Sequence, residues 1–194
     1  MLFPSEIELE DQCFESLDLS GLDLKGRSLT RCRFKGCNFM ESDWRDTLWV
    51  DCVFETCNLS LIRLAGARLQ SARFVDCKVQ GVSFAELNSL LLEVDFSRCR
   101  ITDCNFSRLS LKETAFAQCE VLRCDFVQAD LTGADFSETD LEGTLFDGAR
   151  LKKARFVGAM GYRIHPVDTP LDGAVFSLPE ALNLLTALGI QIET

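Results

Sequence analysis

The residues of this 194-residue chain that are best suited to chemistry are its ten cysteines, its single histidine and its many carboxylates. His165 stands in an irregular stretch beside Pro166 and has no Cys or Asp partner at a catalytic spacing, so we interpret it as a loop residue. Four cysteine pairs have the spacing C-x4-C, at the edge of what zinc ligands use: Cys32 and Cys37, Cys52 and Cys57, Cys99 and Cys104, and Cys119 and Cys124. A zinc site is therefore one interpretation of the cysteines.

The placement of the cysteines favours a structural interpretation instead. Nine of the ten open a five-residue block, at the position that alanine or threonine occupies elsewhere: Cys32, Cys37, Cys52, Cys57, Cys77, Cys99, Cys104, Cys119 and Cys124. Free cysteine often behaves as a small buried apolar residue, and the repeat explains the spacing without a metal. We therefore predict reduced thiols, no metal site and no cofactor. Because the chain also lacks a Gly-rich phosphate loop and a G-x-S-x-G motif, we predict no catalytic residues and no enzyme activity.

The five-residue block is the unit of most of the chain. From Cys119 to Phe156 the blocks read CEVLR, CDFVQ, ADLTG, ADFSE, TDLEG, TLFDG, ARLKK and ARF. A small residue opens each block, a large apolar residue stands two places later, and the other positions are mostly polar. A period of five fits neither an amphipathic helix nor a plain strand. Such a fixed internal period indicates a stacked repeat architecture.

A second period becomes visible when every fourth block is aligned, with one two-residue insertion at Ala85–Leu90. One column of large residues then contains only phenylalanine: Phe14, Phe34, Phe54, Phe74, Phe96, Phe116, Phe136, Phe156 and Phe176. A second column begins with Leu9, Leu29 and Trp49 and is predicted to continue at Leu91. Four blocks per turn predict a four-sided coil, in which successive turns stack at the inter-strand spacing of about 4.8 Å.

We therefore predict an all-β fold, a quadrilateral β-helix of about nine coils over residues 1–176, followed by a short C-terminal α-helix within residues 177–194. Ser177 and Glu180 match a capping box, and Gly189 is a natural helix stop. The helix is apolar nearly all round, so it must be buried on more than one side. A homodimer through this helix is the prediction, with a simple cap on the coil as the alternative. The predicted dimer residues are Leu178, Ala181, Leu182, Leu185, Leu188 and Ile190.

Charge limits the classes of partner. The chain has 20 Lys and Arg against 30 Asp and Glu, a net charge of -10, which disfavours direct nucleic-acid binding and suits a basic partner. It has no apolar run of the ~18 residues that a membrane span needs, and its first residues do not match a signal peptide. These features predict a cytoplasmic protein with no membrane association.

The charges are also predicted to differ between the four sides. Two adjacent sides form an acidic strip, whereas the side with Leu29, Trp49 and Leu131 is mildly basic, with Arg150, Lys152 and Lys153 among its cations. A solvated surface that keeps the rod soluble is the alternative explanation of the strip. The candidate partner-binding residues in the strip are Asp43, Asp46, Glu86, Asp103, Glu120, Asp125, Asp140, Glu142 and Asp147.

The blocks ADLTG (129–133) and ADFSE (134–138) resemble the A-(D/N)-(L/F)-x-x pattern of the pentapeptide-repeat family, and the resemblance extends from about residue 7 to residue 176. It implies a right-handed quadrilateral β-helix. The segments CNLSLI (57–62), ARFVDCK (72–78) and FSLPEALNLLTALGI (176–190) resemble the topoisomerase-poison-resistance branch of that family, which includes quinolone-resistance and albicidin-immunity proteins.

The narrower resemblance implies a function. Members of this branch are dimers joined through C-terminal helices, mimic DNA in shape and charge, and bind DNA gyrase where a duplex would lie. The implied partner is thus DNA gyrase or another type II topoisomerase, which the protein would protect from a poison. The alternative is a structural or scaffolding repeat protein with another protein partner.

Overall fold

The structure, a computed structural model, describes residues 3–191, so the first two residues and the last three of the predicted domains lie outside the described range. The chain forms short parallel strands joined by tight corners. The strands are β1 (Glu8–Glu10), β2 (Cys13–Glu15), β3 (Ser28–Thr30), β4 (Arg33–Lys35), β5 (Leu48–Val50), β6 (Val53–Glu55), β7 (Arg68–Gln70), β8 (Ala72–Val75), β9 (Lys78–Gln80), β10 (Val94–Ser97), β11 (Arg100–Thr102), β12 (Glu120–Leu122), β13 (Arg155–Phe156) and β14 (Val175–Phe176). One 3-10 turn spans Phe84–Glu86, and one helix, α1, spans Leu182–Ala187.

Four sides are defined by which strands stack. Side 1 holds β1, β3, β5 and β7, and side 2 holds β2, β4, β6, β8 and β10, followed by β13 and β14. Side 3 holds β9, β11 and β12, and side 4 is joined by isolated parallel bridges such as Asp23 with Asp43. The result is an all-β solenoid of about eight turns with one short C-terminal helix, which confirms the predicted fold class. Within residues 3–191, no helix has the length and apolar character needed to cross a membrane.

Outside the turn with the insertion, most corners place one residue in the left-handed backbone region, two positions after the inward-pointing large residue. Asp11 has φ 54° and Gly26 has φ 71°, and twenty residues other than glycine share this conformation within the described chain. Such a conformation costs an L-residue roughly 1 kcal/mol or more and persists only where the surroundings enforce it. Here the corner N–H of one turn donates to a carbonyl of the next, as between Asp11 and Thr30 at 3.1 Å.

Stacked aromatic rings fill the centre of the coil. The nine phenylalanines of side 2 form one continuous ladder from Phe14 to Phe176, with neighbouring ring centroids 4.9–5.2 Å apart. A second ladder on side 4 joins Phe84, Phe106, Phe126 and Phe146. The two ladders meet edge to face, as Phe106 and Phe116 do at 85° and 5.8 Å. Offset and edge-to-face contacts are the arrangements that aromatic rings prefer.

One turn of the coil is aromatic on all four sides. Trp44 and Trp49 lie with ring centroids 4.2 Å apart, packed between Phe34, Phe39 and Phe54. Both indole N–H groups are satisfied: Trp44 donates to the Ser42 hydroxyl at 2.8 Å, and Trp49 donates to the Thr47 hydroxyl at 2.9 Å. Buried tryptophans need such partners, and the small residue that opens each block supplies them.

The turn that contains the insertion departs from the predicted core. Leu91 is 70% exposed and occupies a corner with φ 58°. Its neighbour Leu92 packs against the core instead, and the Leu92 N–H donates to the Ser89 carbonyl at 3.2 Å. The prediction that Leu91 is a core residue is therefore wrong. Counting blocks cannot decide which of three consecutive leucines points inward, because a corner inside the bulge changes the direction of each side chain.

The buried thiols form hydrogen bonds with backbone N–H and carbonyl groups at the corners. Cys77 Sγ accepts the N–H of Cys57 at 3.4 Å and donates to the Phe54 carbonyl at 3.4 Å. Thr139 takes the equivalent place farther along and donates to the Phe116 carbonyl at 2.6 Å. A buried backbone group without a partner would be costly, so Cys and Thr are suited to this position. All ten cysteines are free thiols, and Cys13 alone among them is exposed.

The C-terminal helix begins later than the sequence pattern suggests, and the predicted capping box is wrong. No side chain caps its start. The Ser177 hydroxyl instead accepts the N–H of Gly158 at 2.8 Å, because Ser177 still belongs to the last turn of the coil. At the other end Gly189 has φ 77° and donates to Thr186, while Ile190 donates to Leu185, so Gly189 ends the helix as predicted.

Replacing Phe116 by alanine tests the aromatic ladder. Phe116 is fully buried between Phe96 and Phe136, so the truncation leaves a cavity in a stack that cannot collapse without breaking the backbone register. We expect Phe116→Ala to lower the free energy of unfolding by about 3–5 kcal/mol in a denaturant melt. Phe176→Ala, at the half-buried end of the same ladder, is the matched control and should cost clearly less. Equal, small losses for both variants would contradict the packing.

Thiol labelling tests the placement of the cysteines. Hydrogen bonding with the Cys57 and Cys99 thiols, in which the protonated Cys77 is favoured, and then burial raise the pKa of the Cys77 thiol and keep it unreactive. We expect a maleimide to label one thiol per chain, Cys13, in the native protein and all ten after denaturation. The Cys13→Ser variant should show almost no native labelling, and rapid native labelling of that variant would contradict the structure.

Candidate protein-interaction surfaces

The nine predicted partner-binding acids all lie on sides 3 and 4 or at the corners that border them. Side 4 carries Asp43, Glu86, Asp125 and Asp147, and side 3 carries Glu120, Asp140 and Glu142. Asp46 and Asp103 occupy corners. We call these nine residues the acidic strip. The chain therefore brings them onto two adjacent sides of one rod, although some of them are engaged in hydrogen bonds or ion pairs within the chain.

Three carboxylates of the strip take part in the fold itself. Asp43 accepts the N–H of Arg45 at 3.1 Å, Asp125 accepts that of Val127 at 2.9 Å, and Asp140 accepts that of Glu142 at 3.1 Å. These are Asx turns, in which a side-chain oxygen holds the backbone two residues later. They explain why Asp or Asn so often follows the opening residue of a block. Substituting these acids would disturb a corner as well as remove a charge.

Ion pairs neutralise four members of the strip. Asp103 makes two hydrogen bonds with Arg123, at 2.7 and 3.0 Å, and these bonds lower the pKa of its carboxyl. Glu120 lies 3.3 Å from Arg100, and Asp46 lies 3.9 Å from Lys25. Asp43, which is buried, is held by Arg45 at 2.6 Å. Each pair reduces the negative potential that a partner would meet.

The remaining five acids have no ion pair within residues 3–191: Glu86, Asp125, Asp140, Glu142 and Asp147. Glu86, Glu142 and Asp147 are also exposed and cap no turn, so they combine full charge with full access. Four of the five lie in the second half of the chain. Sides 3 and 4 also carry Asp18, Asp23 and Glu41, which are exposed and have no ion pair within residues 3–191, so accessible negative charge is present along the length of these two sides.

The C-terminal end also carries a group of exposed apolar side chains. Leu178 is 75% exposed, and Leu185, Leu188 and Ile190 are exposed as well. Ala181 and Leu182 are half-buried, and the neighbouring Leu184 packs against the end of the coil. In a single chain the helix therefore covers the coil with one side and leaves the other side open. Met160, Val167 and Val175 extend this open apolar surface on the coil.

A cavity of about 640 Å³ lies between α1 and the last turns of the coil. Its wall contains Glu142, Asp147, Arg163 and His165, together with Asn183 and Thr186 of the helix. Tyr162 is buried beside it, where desolvation raises the pKa of its phenol to about 12, and its hydroxyl has no hydrogen-bond partner within residues 3–191. Across that same range, no group of three or more His, Cys, Asp and Glu side chains is arranged to hold a metal ion.

Comparison with known proteins identifies the family. The pentapeptide repeat region family matches residues 27–89 and 88–156. The chain belongs to the pentapeptide repeat family. The match covers the middle of the coil, including the two-residue insertion. No curated protein matches the chain.

Solved structures of the same family resemble this chain at low sequence identity. A trypsin-treated form of QnrB1, a plasmid-mediated fluoroquinolone resistance protein, is 24% identical, covers 96% of this chain and 90% of its own, and has a TM-score of 0.52. HetL, a pentapeptide repeat protein involved in heterocyst differentiation regulation from the cyanobacterium Nostoc, is 19% identical, with 88% and 86% coverage and a TM-score of 0.46. At these identities the similarity shows the fold alone.

Two features of the surface were not identified as sites from the sequence. The cavity depends on how α1 folds back beside Glu142 and Asp147, which no local pattern indicates. Arg155 adds a fourth cation to Arg150, Lys152 and Lys153, and all four are exposed. The run ARLKKAR shows this cluster in the sequence, but its isolation from acidic partners becomes visible only in three dimensions.

The pH dependence of stability tests the ion pair between the buried Asp43 and the exposed Arg45. Hydrogen bonds from Arg45 lower the pKa of Asp43 to about 2, below its unfolded value of 3.8. Such a group stabilises the fold above about pH 4, and this contribution is lost as the pH falls through 2. We expect Asp43→Asn, which retains an oxygen for the corner, to lower the free energy of unfolding by on the order of 1–2 kcal/mol at neutral pH. The difference from the wild type should shrink as the pH approaches 2.

The control is Asp23→Asn, at the equivalent place one turn earlier. Asp23 accepts the N–H of Lys25 at 2.9 Å and has no ion pair within residues 3–191, so only the corner hydrogen bond is involved. This variant should change stability little at any pH. If Asp43→Asn and Asp23→Asn behaved alike at neutral pH, the charge of Asp43 would not contribute as argued.

Proposed function

We propose that this protein is a non-catalytic DNA mimic that binds DNA gyrase, or another type II topoisomerase, and protects it from a topoisomerase poison. The observation that carries the proposal is the acidic strip on two adjacent sides of a straight rod. DNA-binding surfaces are rich in Lys and Arg because they contact phosphates. A rigid rod with carboxylates along one half of its surface offers such a surface a similar pattern of charge.

The dimensions limit how closely the mimicry can follow DNA. About eight turns at about 4.8 Å give a rod of roughly 38 Å, the length over which a duplex carries about 22 phosphate charges. The strip has nine acids, and four of these are ion-paired. Binding would therefore depend on the accessible acids along the strip, such as Glu86 and Glu120, whose ion pair with Arg100 is exposed, and on a second copy of the chain. Joining two copies end to end would double both the length and the charge.

The family supports the same function. QnrB1 is a fluoroquinolone resistance protein of the same fold, and the segment FSLPEALNLLTALGI resembles the C-terminal helix of that branch. The exposed leucines of α1 suit the homodimer that the branch uses, because apolar surface of this kind is normally covered in a soluble protein. The predicted dimer residues Leu178, Leu185, Leu188 and Ile190 are the exposed ones. We therefore include dimerisation through this end in the proposal.

A scaffolding role is the second candidate, and one observation favours it. Leu90 and Leu91 are 65% and 70% exposed on the bulge, in the segment that follows Glu86. Two adjacent exposed leucines suit an apolar contact with another protein. Binding through them would hardly depend on salt, whereas binding through carboxylates weakens as salt screens the charges. The salt dependence of binding to a partner therefore separates the two functions.

The first test is a supercoiling assay with purified gyrase, a poison and increasing amounts of this protein. We expect the wild-type chain to restore supercoiling, and the double variant Glu86→Lys with Glu120→Lys to lose this protection. These two side chains are exposed, hold no corner, and lie well before the C-terminal end. Glu120 has only an exposed ion pair with Arg100, so its reversal should leave the melting temperature nearly unchanged.

The matched control carries the same change of charge on the other two sides. Glu8→Lys with Glu15→Lys alters exposed residues of β1 and β2 on sides 1 and 2. This variant should protect as well as the wild type does. Equal protection by both double variants would contradict DNA mimicry. An absence of protection at any concentration of the wild type would favour the scaffold.

A further inference from the structure

Four exposed cations form a patch that the proposed function does not use. Arg150, Lys152, Lys153 and Arg155 lie at the corner between sides 1 and 2, and we call them the basic corner. None of the four has an ion pair within residues 3–191, whereas Arg31, Arg98 and Arg123 at earlier corners each pair with acids. The basic corner lies on the opposite edge of the rod from sides 3 and 4, so the proposed contact between the acidic strip and a basic surface gives it no role.

The basic corner lies one turn below the C-terminal end of the coil. The Lys153 N–H donates to the carbonyl of Asp172 at 2.9 Å, and Arg155 pairs with Val175 between β13 and β14. Strand β14 is the last of its sheet within the described chain. One turn corresponds to about 4.8 Å, a distance that an extended Lys or Arg side chain can span. The charged groups can therefore reach the level of the end itself.

An opposite charge lies on the other half of the same end. Glu142 and Asp147 are exposed on sides 3 and 4, and we call them the acidic end patch. They line the same cavity as Asn183 and Thr186, so they lie directly beside α1. Arg163 and His165 line that cavity too, yet neither forms an ion pair with Glu142 or Asp147. Asp172 is exposed one turn beyond Lys152, and Arg163 lies beside the acidic end patch, so the end of the rod carries a net positive charge on one half and a net negative charge on the other.

We propose that the basic corner of one copy pairs with the acidic end patch of a second copy, and that this pairing fixes the rotational setting of the C-terminal dimer. The inference rests on the homodimer included in the proposed function, but not on gyrase as the target. The exposed leucines of α1 would provide most of the contact area. The charges would select one arrangement among those that the leucines alone would tolerate.

Two-fold symmetry gives the reason. Two rods that meet end to end are related by an axis perpendicular to their length, and each patch of one copy meets a patch of the other. If that axis is perpendicular to the line joining the two patches, the basic corner lies beside the partner's acidic end patch at both edges of the junction. If the axis is parallel to that line, like charges meet at both edges. Like charges placed together are strongly unfavourable at an interface, so the first setting is favoured.

The test is a charge exchange followed by sedimentation equilibrium. One variant carries Lys152→Glu and Lys153→Glu, and the other carries Glu142→Lys and Asp147→Lys. Glutamate already occupies equivalent corners at Glu113 and Glu138, with φ 59° and 57°, so Lys153→Glu is compatible with the fold. We expect each variant alone to dimerise on the order of tenfold more weakly than the wild type, and a 1:1 mixture of the two to recover wild-type affinity as a heterodimer.

The wild-type dimer should also weaken as salt is raised, because unlike charges are then screened. Lys35→Glu with Arg73→Glu, two exposed cations of side 2 in the N-terminal half of the rod, is the matched control and should leave dimerisation unchanged. The proposal would be overturned by a wild type that is monomeric, or by one whose dimerisation none of these substitutions changes. A wild-type dimer that is weaker than the heterodimer and becomes tighter in high salt would overturn it too. Protection of gyrase is measured in the supercoiling assay with the Glu86 and Glu120 variant, not by sedimentation. A failure of the gyrase proposal can therefore be distinguished from a failure of the dimer proposal.

Discussion

Hydrogen bonding between successive turns is the interaction on which the rest of this structure depends. Because each strand is only two to four residues long, no strand could exist without the turn above and the turn below it. The backbone repeats its pairing because the turns have the same length, as Phe34 with Phe54 shows, except at the bulge, where two extra residues are accommodated and Phe74 stays in register with Phe96. The left-handed corners are strained individually, and the stack of hydrogen bonds on both sides keeps them in place.

The same constraint decides which side chains are allowed at each place in the block. The opening residue must be small and often polar, as Cys77 and Thr139 are, because it completes the hydrogen bonding of the backbone at the corner. The next residue is often Asp or Asn, since its oxygen holds the following turn, as Asp125 does. The large residue fills the interior. Two exposed positions then remain, and these are free to serve a partner, together with the second position of a block where it is neither Asp nor Asn.

The features that can be predicted from the sequence are those at the positions that the backbone repeat constrains. The period of five and its fourfold alignment predict the coil and its four sides, because the backbone repeat imposes both directly. Local exceptions are not predictable in this way: a corner within the bulge turns Leu91 outward, and Ser177 bonds to Gly158 instead of capping the helix. The acidic strip was predicted as a surface of similar acids. Only contacts in three dimensions separate Asp43, which is buried and paired, from Glu142, which is exposed.

The difference between acids that serve the fold and acids that are exposed determines which charges such a rod can present to a partner. An acid that holds a corner is retained for the fold whatever the partner, so the abundance of Asp in the repeat is weak support for mimicry of DNA. Acids at the exposed positions, such as Glu86, Glu120 and Glu142, are under no such constraint, since the repeat tolerates Arg, Lys, Gln or Ser at comparable places. The same holds for the basic corner. A function specific to this protein is therefore expressed in the exposed positions of the block, and comparisons between members of the family are most informative there.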